Sequence, residues 1–125
     1  GQPYILHCMR VMNNLHTEDE ELKIAAVLHD FVEDVFKGQE DDGLRILKEY
    51  GFSDRVVRTL DLLTHRKNVP YDNYIKAIAL NGDATKVKLA DLKDNSDITR
   101  LKGLSKKDFD RMEKYHRSYI YLSKL

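Results

Sequence analysis

Histidine, aspartate, glutamate and aspartate occupy positions 29, 30, 33 and 34, directly after the apolar run Ile24-Ala25-Ala26-Val27-Leu28. Ionisable side chains set against sequence of buried character cost free energy unless a metal or another partner satisfies them. On a helix, residues four apart share a face, so His29 stands over Glu33 and Asp30 over Asp34, in two columns about 100° apart. One imidazole and one carboxylate can then meet a metal while the remaining two carboxylates handle protons. A His-Asp dipeptide is common, so this chemistry requires distant partners. His7, after Tyr4-Ile5-Leu6, and Asp91, within Lys88-Leu89-Ala90-Asp91-Leu92, are polar residues inside apolar, helix-like runs. The candidate donor set is therefore His7, His29, Asp30 and Asp91.

Helices must position this set, because no stretch shows the alternation of a half-buried strand. The first begins at Pro3 and carries Ile5, Cys8, Met12 and Leu15 as a stripe, with His7 beside it and Val11 one turn on. Thr17 and Glu20 have the spacing of a capping box for a second helix, on which Leu22, Ala25, Ala26 and His29 share a face through to Asp34. Residues 37–43 read as a polar, glycine-flanked loop beside the site. A short helix over 44–50 ends at Gly51, which suits the left-handed position after a helix. Ser53 caps a fourth helix bearing Val56, Val57, Leu60, Leu63 and Thr64, and Pro70 opens a fifth with Tyr71, Tyr74, Ile75 and Ile78. Asp83 is expected to cap the helix that bears Asp91, where Val87, Asp91 and Asn95 form a column and place an amide beside the proposed donor. Gly103 and Ser105 separate it from a last helix, with Ser105 and Asp108 as a capping box and Phe109, Met112, His116 and Tyr119 along one face. The expected fold is all-α, a bundle of about six to seven helices.

At 125 residues the chain is expected to be a single domain, 1-125. It begins with Gly1 and enters a helix almost at once, so some natural N-terminal residues are expected to be missing. Basic and acidic residues balance at 21 each, so no global field draws the chain to nucleic acid or an anionic membrane. The single cysteine, Cys8, excludes an intrachain disulfide and fits a reducing, cytoplasmic location. There is no signal-like segment and no apolar run long enough to cross a bilayer. His16, His65 and His116 fit surface or packing roles, Arg66 and Lys67 a solvated loop, and Lys88 an ion pair with Asp91 ahead of the alternative, a substrate contact. Tyr115, Tyr119 and Tyr121 suit core or interface, which leaves an oligomer open.

Three blocks in order carry a family resemblance: residues 1–7, ending at His7; Ala25-Ala26-Val27-Leu28-His29-Asp30-Phe31-Val32-Glu33-Asp34; and Lys88-Leu89-Ala90-Asp91-Leu92-Lys93-Asp94-Asn95. They resemble the HD-domain metal-dependent phosphohydrolases, and in particular the (p)ppGpp hydrolase domain of Rel/Spo homologues and their small stand-alone relatives. Tyr50-Gly51-Phe52, and Leu62-Leu63-Thr64 followed by Tyr71 and Tyr74, extend the likeness across most of the chain. The resemblance implies that His7, His29, Asp30 and Asp91 bind one divalent metal, usually Mn²⁺, that Glu33 and Asp34 are the catalytic acidic pair, and that Asn95 contacts the nucleotide. A His₂Asp₂ set without thiolates independently suits a hard or borderline cation more than structural zinc. The chain departs from the family at Cys8, where proline is usual, and at Asp97, where arginine is frequent. The basic residues that approach the substrate in the family lie upstream of the block that begins at Gly1.

Three functions follow in order. The first is a 3′-pyrophosphohydrolase of guanosine bis-pyrophosphate, a small-molecule nucleotide. The second is an HD phosphohydrolase acting on a nucleoside monophosphate or another small phosphoester. The third is a non-catalytic nucleotide-sensing module, against which the retention of Glu33 and Asp34 beside the whole donor set argues.

Overall fold

The computed structural model describes residues 4–96 and 105–124, which form eight helices and no strand. They are α1 (Tyr4–Asn14), α2 (Glu20–Leu28), α3 (Phe31–Val35), α4 (Glu40–Glu49), α5 (Asp54–Leu63), α6 (Tyr71–Ala79), α7 (Gly82–Asn95) and α8 (Lys106–Ser123). Among the described residues, no helix is long and apolar enough to cross a membrane.

α7 is the central helix, packed by α1, α2, α5, α6 and α8. Its small residues Ala84 and Ala90 face a core that also takes Val11, Leu22, Ala25, Ala26, Leu63, Ile75, Ile78, Val87, Leu92 and Leu122. Each large aliphatic side chain fully buried there stabilises the fold by roughly 1.5–3 kcal/mol, and the alanines let α2 approach α7 closely. A second core gathers Val32, Leu44, Leu47, Val56 and Leu60 under α3, α4 and α5. Gly43 belongs to this region by contact, because a Cβ there would meet the Phe36 ring at 2.6 Å.

The extra helix beyond the expected six or seven arises at the chemistry. α2 stops at Leu28, His29 is its C-cap, and Asp30 (φ −103°, ψ −2°) starts the short α3. The apolar pattern runs through this point without a break, yet the two sides feed different cores. Ala25 and Ala26 enter the first and Val32 the second. His29 and Asp30 lie at the seam. The helical relation survives the bend in part, since the Asp34 amide still donates to the Asp30 carbonyl at 3.0 Å.

Other expectations shift by small, explicable amounts. Thr17 and Glu20 do not form the capping box; Asp19 caps α2 by accepting from the Leu22 amide, and Thr17 Oγ1 accepts from the Asp19 amide at 3.1 Å. Asn81, not Asp83, caps α7. Asp83 instead binds Arg55, as Asp19 does in addition to capping: the guanidinium contacts Asp19 at 2.7 and 3.1 Å and Asp83 at 2.8 and 3.0 Å. The expected loop over 37–43 is shorter, because Glu40, Asp41 and Asp42 form the first turn of α4, where their charges suit the helix N-terminus. On α1 the buried stripe is rotated toward Cys8 and Val11, leaving Ile5 exposed. On α8 the buried side carries Ser118 and Leu122, while Phe109 and Tyr119 face solvent, since α6 and α7 cover only that edge. Ser53, Gly51 (φ +99°) and the Ser105–Asp108 capping box fall as the sequence implies. Gly103 and Asp97 lie outside the described residues.

Candidate metal centre

His7 comes from α1, His29 and Asp30 from the α2–α3 seam, and Asp91 from the middle of α7. One ligand-type atom from each of these side chains lies within 4.8 Å of all the others. The arrangement is asymmetric about Asp91 Oδ1, which has His7 Nε2 and His29 Nε2 at 3.1 Å and Asn95 Nδ2 at 3.0 Å. His29 Nε2 is also 3.1 Å from Asp30 Oδ2, and His7 Nε2 is 3.8 Å from the same oxygen. His29 and Asp91 are buried, whereas Asp30 opens toward solvent. Asp30 makes no side-chain cap bond to α3, so its carboxylate is turned to the cluster and not spent on the helix end.

The outer nitrogens of both imidazoles are already committed. His7 Nδ1 donates to Asp94 Oδ2 at 2.5 Å, and His29 Nδ1 donates to the Ala26 carbonyl at 2.6 Å. A carbonyl only accepts, so His29 carries its proton on Nδ1, and in the neutral ring the Nε2 lone pair points at carboxylate oxygens. Lone pair against carboxylate at 3.1 Å is repulsive unless a cation lies between them. That demand shows in the acid–base behaviour. Burial opposes a charge on His29, yet its hydrogen bonds to Asp30 and Asp91 hold its pKa up at about 11. The hydrogen bond to Asp91 likewise raises His7 against the effect of burial. Burial works to raise Asp91, but the Lys88 ammonium and the two histidines hold it well below the usual range.

A divalent ion meets the same demand with more charge than a proton. Octahedral cations with bonds of about 2.1 Å hold neighbouring donors about 3 Å apart, which is the spacing of the Nε2 and carboxylate atoms here. Donor type, separation and charge all fit.

The sequence pattern of the HD domain family matches residues 4–114. The chain belongs to the HD domain family. HD domains bind divalent metals and are typically metal-dependent hydrolases. No curated protein matches the chain.

A polar cleft in this HD domain opens beside the cluster. Its inner lobe, about 340 Å³, is lined by the acidic and amide side chains of Asp30, Glu33, Asp34, Asp91 and Asn95 together with His65, Tyr71, Tyr74, Lys88, Lys114 and Tyr115. An outer lobe of about 640 Å³ shares Glu33, Asp34 and His65 and adds Lys37, Gly38, Glu40 and Lys67. Glu33 and Asp34 therefore stand at the junction. Burial raises the Glu33 pKa, reinforced by the Asp30 charge and opposed by the hydrogen bond it accepts from the His65 amide. Asn95 is beside Asp91 as expected from the column on α7, and its amide donates to the carboxylate. Lys88 makes the expected ion pair, with Nζ 3.0 Å from Asp91 Oδ2.

Several residues around the cluster and the cleft escaped the sequence reading. Asp94 and Arg10 hold the far side of His7, with Arg10 Nε 2.8 Å from Asp94 Oδ1. A signal existed, since Lys88, Asp91, Asp94 and Asn95 share one face of α7 at spacings of three and four. His65 does pack, stacked on Tyr74 with ring centroids 4.6 Å apart and Nε2 donating to the Val69 carbonyl at 2.6 Å. Its backbone also serves Glu33, which no side-chain pattern reveals. Tyr115 lines the inner lobe under Lys114, whose Nζ is 4.5 Å from the Tyr71 ring and 5.6 Å from that of Tyr115. Tyr119 and Tyr121 are exposed elsewhere on α8. Arg66 is engaged by Asp41 and Asp61 at 2.9 and 2.7 Å, while Lys67 faces the outer lobe.

Proposed function

We propose that this HD domain is a Mn²⁺-dependent phosphohydrolase that removes pyrophosphate from the 3′ position of guanosine nucleotides of the (p)ppGpp type. The observation that carries the reading is the gathering of His7, His29, Asp30 and Asp91 within 4.8 Å, against a cleft that also holds Glu33, Asp34 and Asn95. His7, His29, Asp30 and Asp91 are the ligands. When bound, the metal supplies Lewis acidity toward a phosphoryl oxygen and lowers the pKa of a coordinated water.

The remaining work belongs to the protein. Water adds to the phosphorus next to the sugar, and the 3′ oxygen leaves and takes up a proton. Glu33, whose raised pKa brings it nearer to the neutral range, accepts the proton of the water and can pass it on. The His65 amide fixes the direction of that carboxylate. Asp34, at the same junction of the two lobes, orients the water. Asn95, at the wall of the inner lobe, holds the nucleotide near its sugar.

Two features support a substrate with phosphates at both ends. The cleft has two lobes that meet at the acidic pair, and each lobe has its own lysines: Lys88 and Lys114 in the inner, Lys37 and Lys67 in the outer. The inner lobe alone is of the size that admits a nucleoside monophosphate, the runner-up substrate. A panel of guanosine 3′-pyrophosphates, nucleoside monophosphates and nucleoside triphosphates with added Mn²⁺ separates these, with phosphate and pyrophosphate release measured independently. Pyrophosphate release from the 3′-pyrophosphates is expected. Phosphate release from monophosphates alone would keep the hydrolase reading and discard the substrate.

A further inference from the structure

The two histidines of the cluster are oriented by acceptors of different charge. His29 Nδ1 is held by a neutral carbonyl of its own helix, Ala26, whereas His7 Nδ1 is held by a carboxylate from another helix, Asp94 of α7. Asp94 is buried, and its partners include two donors of α1: Oδ2 takes His7 at 2.5 Å and Oδ1 takes Arg10 Nε at 2.8 Å. His7 and Arg10 are three residues apart, so both face α7 from one side of α1. A second buried carboxylate three residues from Asp91 adds negative charge to an acid-rich centre, and its pairing with Arg10 and His7 offsets the cost of burial.

We propose that Asp94 is a positioning residue that makes His7 a metal ligand, and that Arg10 holds Asp94 in the required place. The proposal rests on the metal reading above. Asp94 fixes the proton of His7 on Nδ1, so the lone pair of Nε2 points at Asp30 and Asp91. A charged acceptor also makes the imidazole a stronger donor than a carbonyl would, as carboxylate partners of metal-bound histidines do. Arg10 prevents the carboxylate from turning toward the cluster and becoming a competing ligand. His29 needs no such support, because its acceptor is part of the helix backbone.

The experiment compares Mn²⁺ affinity by calorimetry in the wild type, Asp94→Asn, Asp94→Ala and Arg10→Gln. The apo stability of each is measured by thermal melting, and the His7 tautomer is read from histidine ¹⁵N NMR of the apo protein at a pH high enough for the imidazole to be neutral. Asn at 94 keeps an accepting oxygen and the side-chain shape without the charge, so it carries the test if the alanine variant does not fold. Loss of about 10- to 100-fold in affinity is expected for the Asp94 variants, the usual effect of removing a partner of a metal-bound histidine. A smaller loss is expected for Arg10→Gln, and a shift of the His7 proton from Nδ1 toward Nε2 for Asp94→Ala. A wild type that binds no Mn²⁺ overturns the metal reading and this inference with it. A wild type that binds, with both Asp94 variants within twofold of it, overturns the inference alone. An unchanged His7 tautomer in Asp94→Ala also overturns it.

Discussion

Two regions of this HD domain tie three helical segments together with charged side chains, and they do so in opposite ways. At one end Arg55 of α5 grips Asp19 at the start of α2 and Asp83 at the start of α7, close to solvent and with donors matched to acceptors. At the seam between α2 and α3 the donor cluster joins α1, the α2–α3 bend and α7, with His29 and Asp91 buried and carboxylate oxygens facing imidazole nitrogens. The Arg55 clamp is complete as it stands, because its hydrogen bonds satisfy all partners. The cluster sets imidazole nitrogens against carboxylates, a demand that added protons or a divalent cation would meet. Charge that is self-satisfied contributes to folding, and charge arranged to need a further ion marks the place where a ligand acts.

The largest effect should come from removing a donor. Asp30→Ala or His29→Ala is expected to abolish stoichiometric Mn²⁺ binding and to lower turnover by at least about 10³-fold, the loss of several kcal/mol of charge stabilisation. Elemental analysis and steady-state rates check this. Normal metal content in both variants would leave the two regions equivalent and remove the contrast between them. Glu33→Gln and Asp34→Asn should lower kcat by roughly 10²-fold or more while metal stays bound. Unchanged rates in both would assign the pair to a solvated helix end.

Binding to the folded state alone also predicts stabilisation, of about 2.7 kcal/mol at a free Mn²⁺ concentration one hundred times its Kd. Thermal melts with and without Mn²⁺ should therefore differ for the wild type and Arg55→Met, and coincide for Asp30→Ala. The smallest effect belongs to the clamp. Hydrogen bonds from Arg55 hold Asp19 and Asp83 below the ordinary carboxylate value of 3.8. Groups so lowered favour folding above that value, and the contribution is lost as pH falls through the lowered pKa values. The groups are partly exposed and screened, so a modest loss of melting temperature is expected below pH 4. Arg55→Met should flatten that acid limb without altering Mn²⁺ affinity, and an equally steep limb in the variant would deny the clamp its role.

Much of the site was legible because the residue types are informative in their settings. His7 and Asp91 stood out as polar residues in apolar runs, and His29, Asp30, Glu33 and Asp34 were grouped by spacing on one helix, which the structure divides between the end of α2 and α3. The caps at Ser53 and Ser105 were readable for a related reason, since an N-cap depends on a few adjacent residues. Where two local candidates competed, as Thr17 with Asp19 and Asp83 with Asn81, periodicity had no means to choose. Arg55 decided both, by drawing Asp83 away from the cap and bracing Asp19 from another helix.

By itself, the sequence determined the all-α class and the central apolar segments, because these depend on composition and on repeats of three and four residues; it offered His7, His29, Asp30 and Asp91 as candidate ligands, and the structure brings those side chains together. Only the tertiary structure decided the bend at His29 and Asp30, since an unbroken apolar pattern cannot tell that its two halves enter different cores. The rotation of α1 that exposes Ile5 and turns Cys8 and Val11 inward, the pairing of His7 with Asp94 across 87 residues, and the hold of the His65 backbone on Glu33 were decided there too. Each depends on which face of a helix its neighbours cover, and that is set by packing among the eight described helices together.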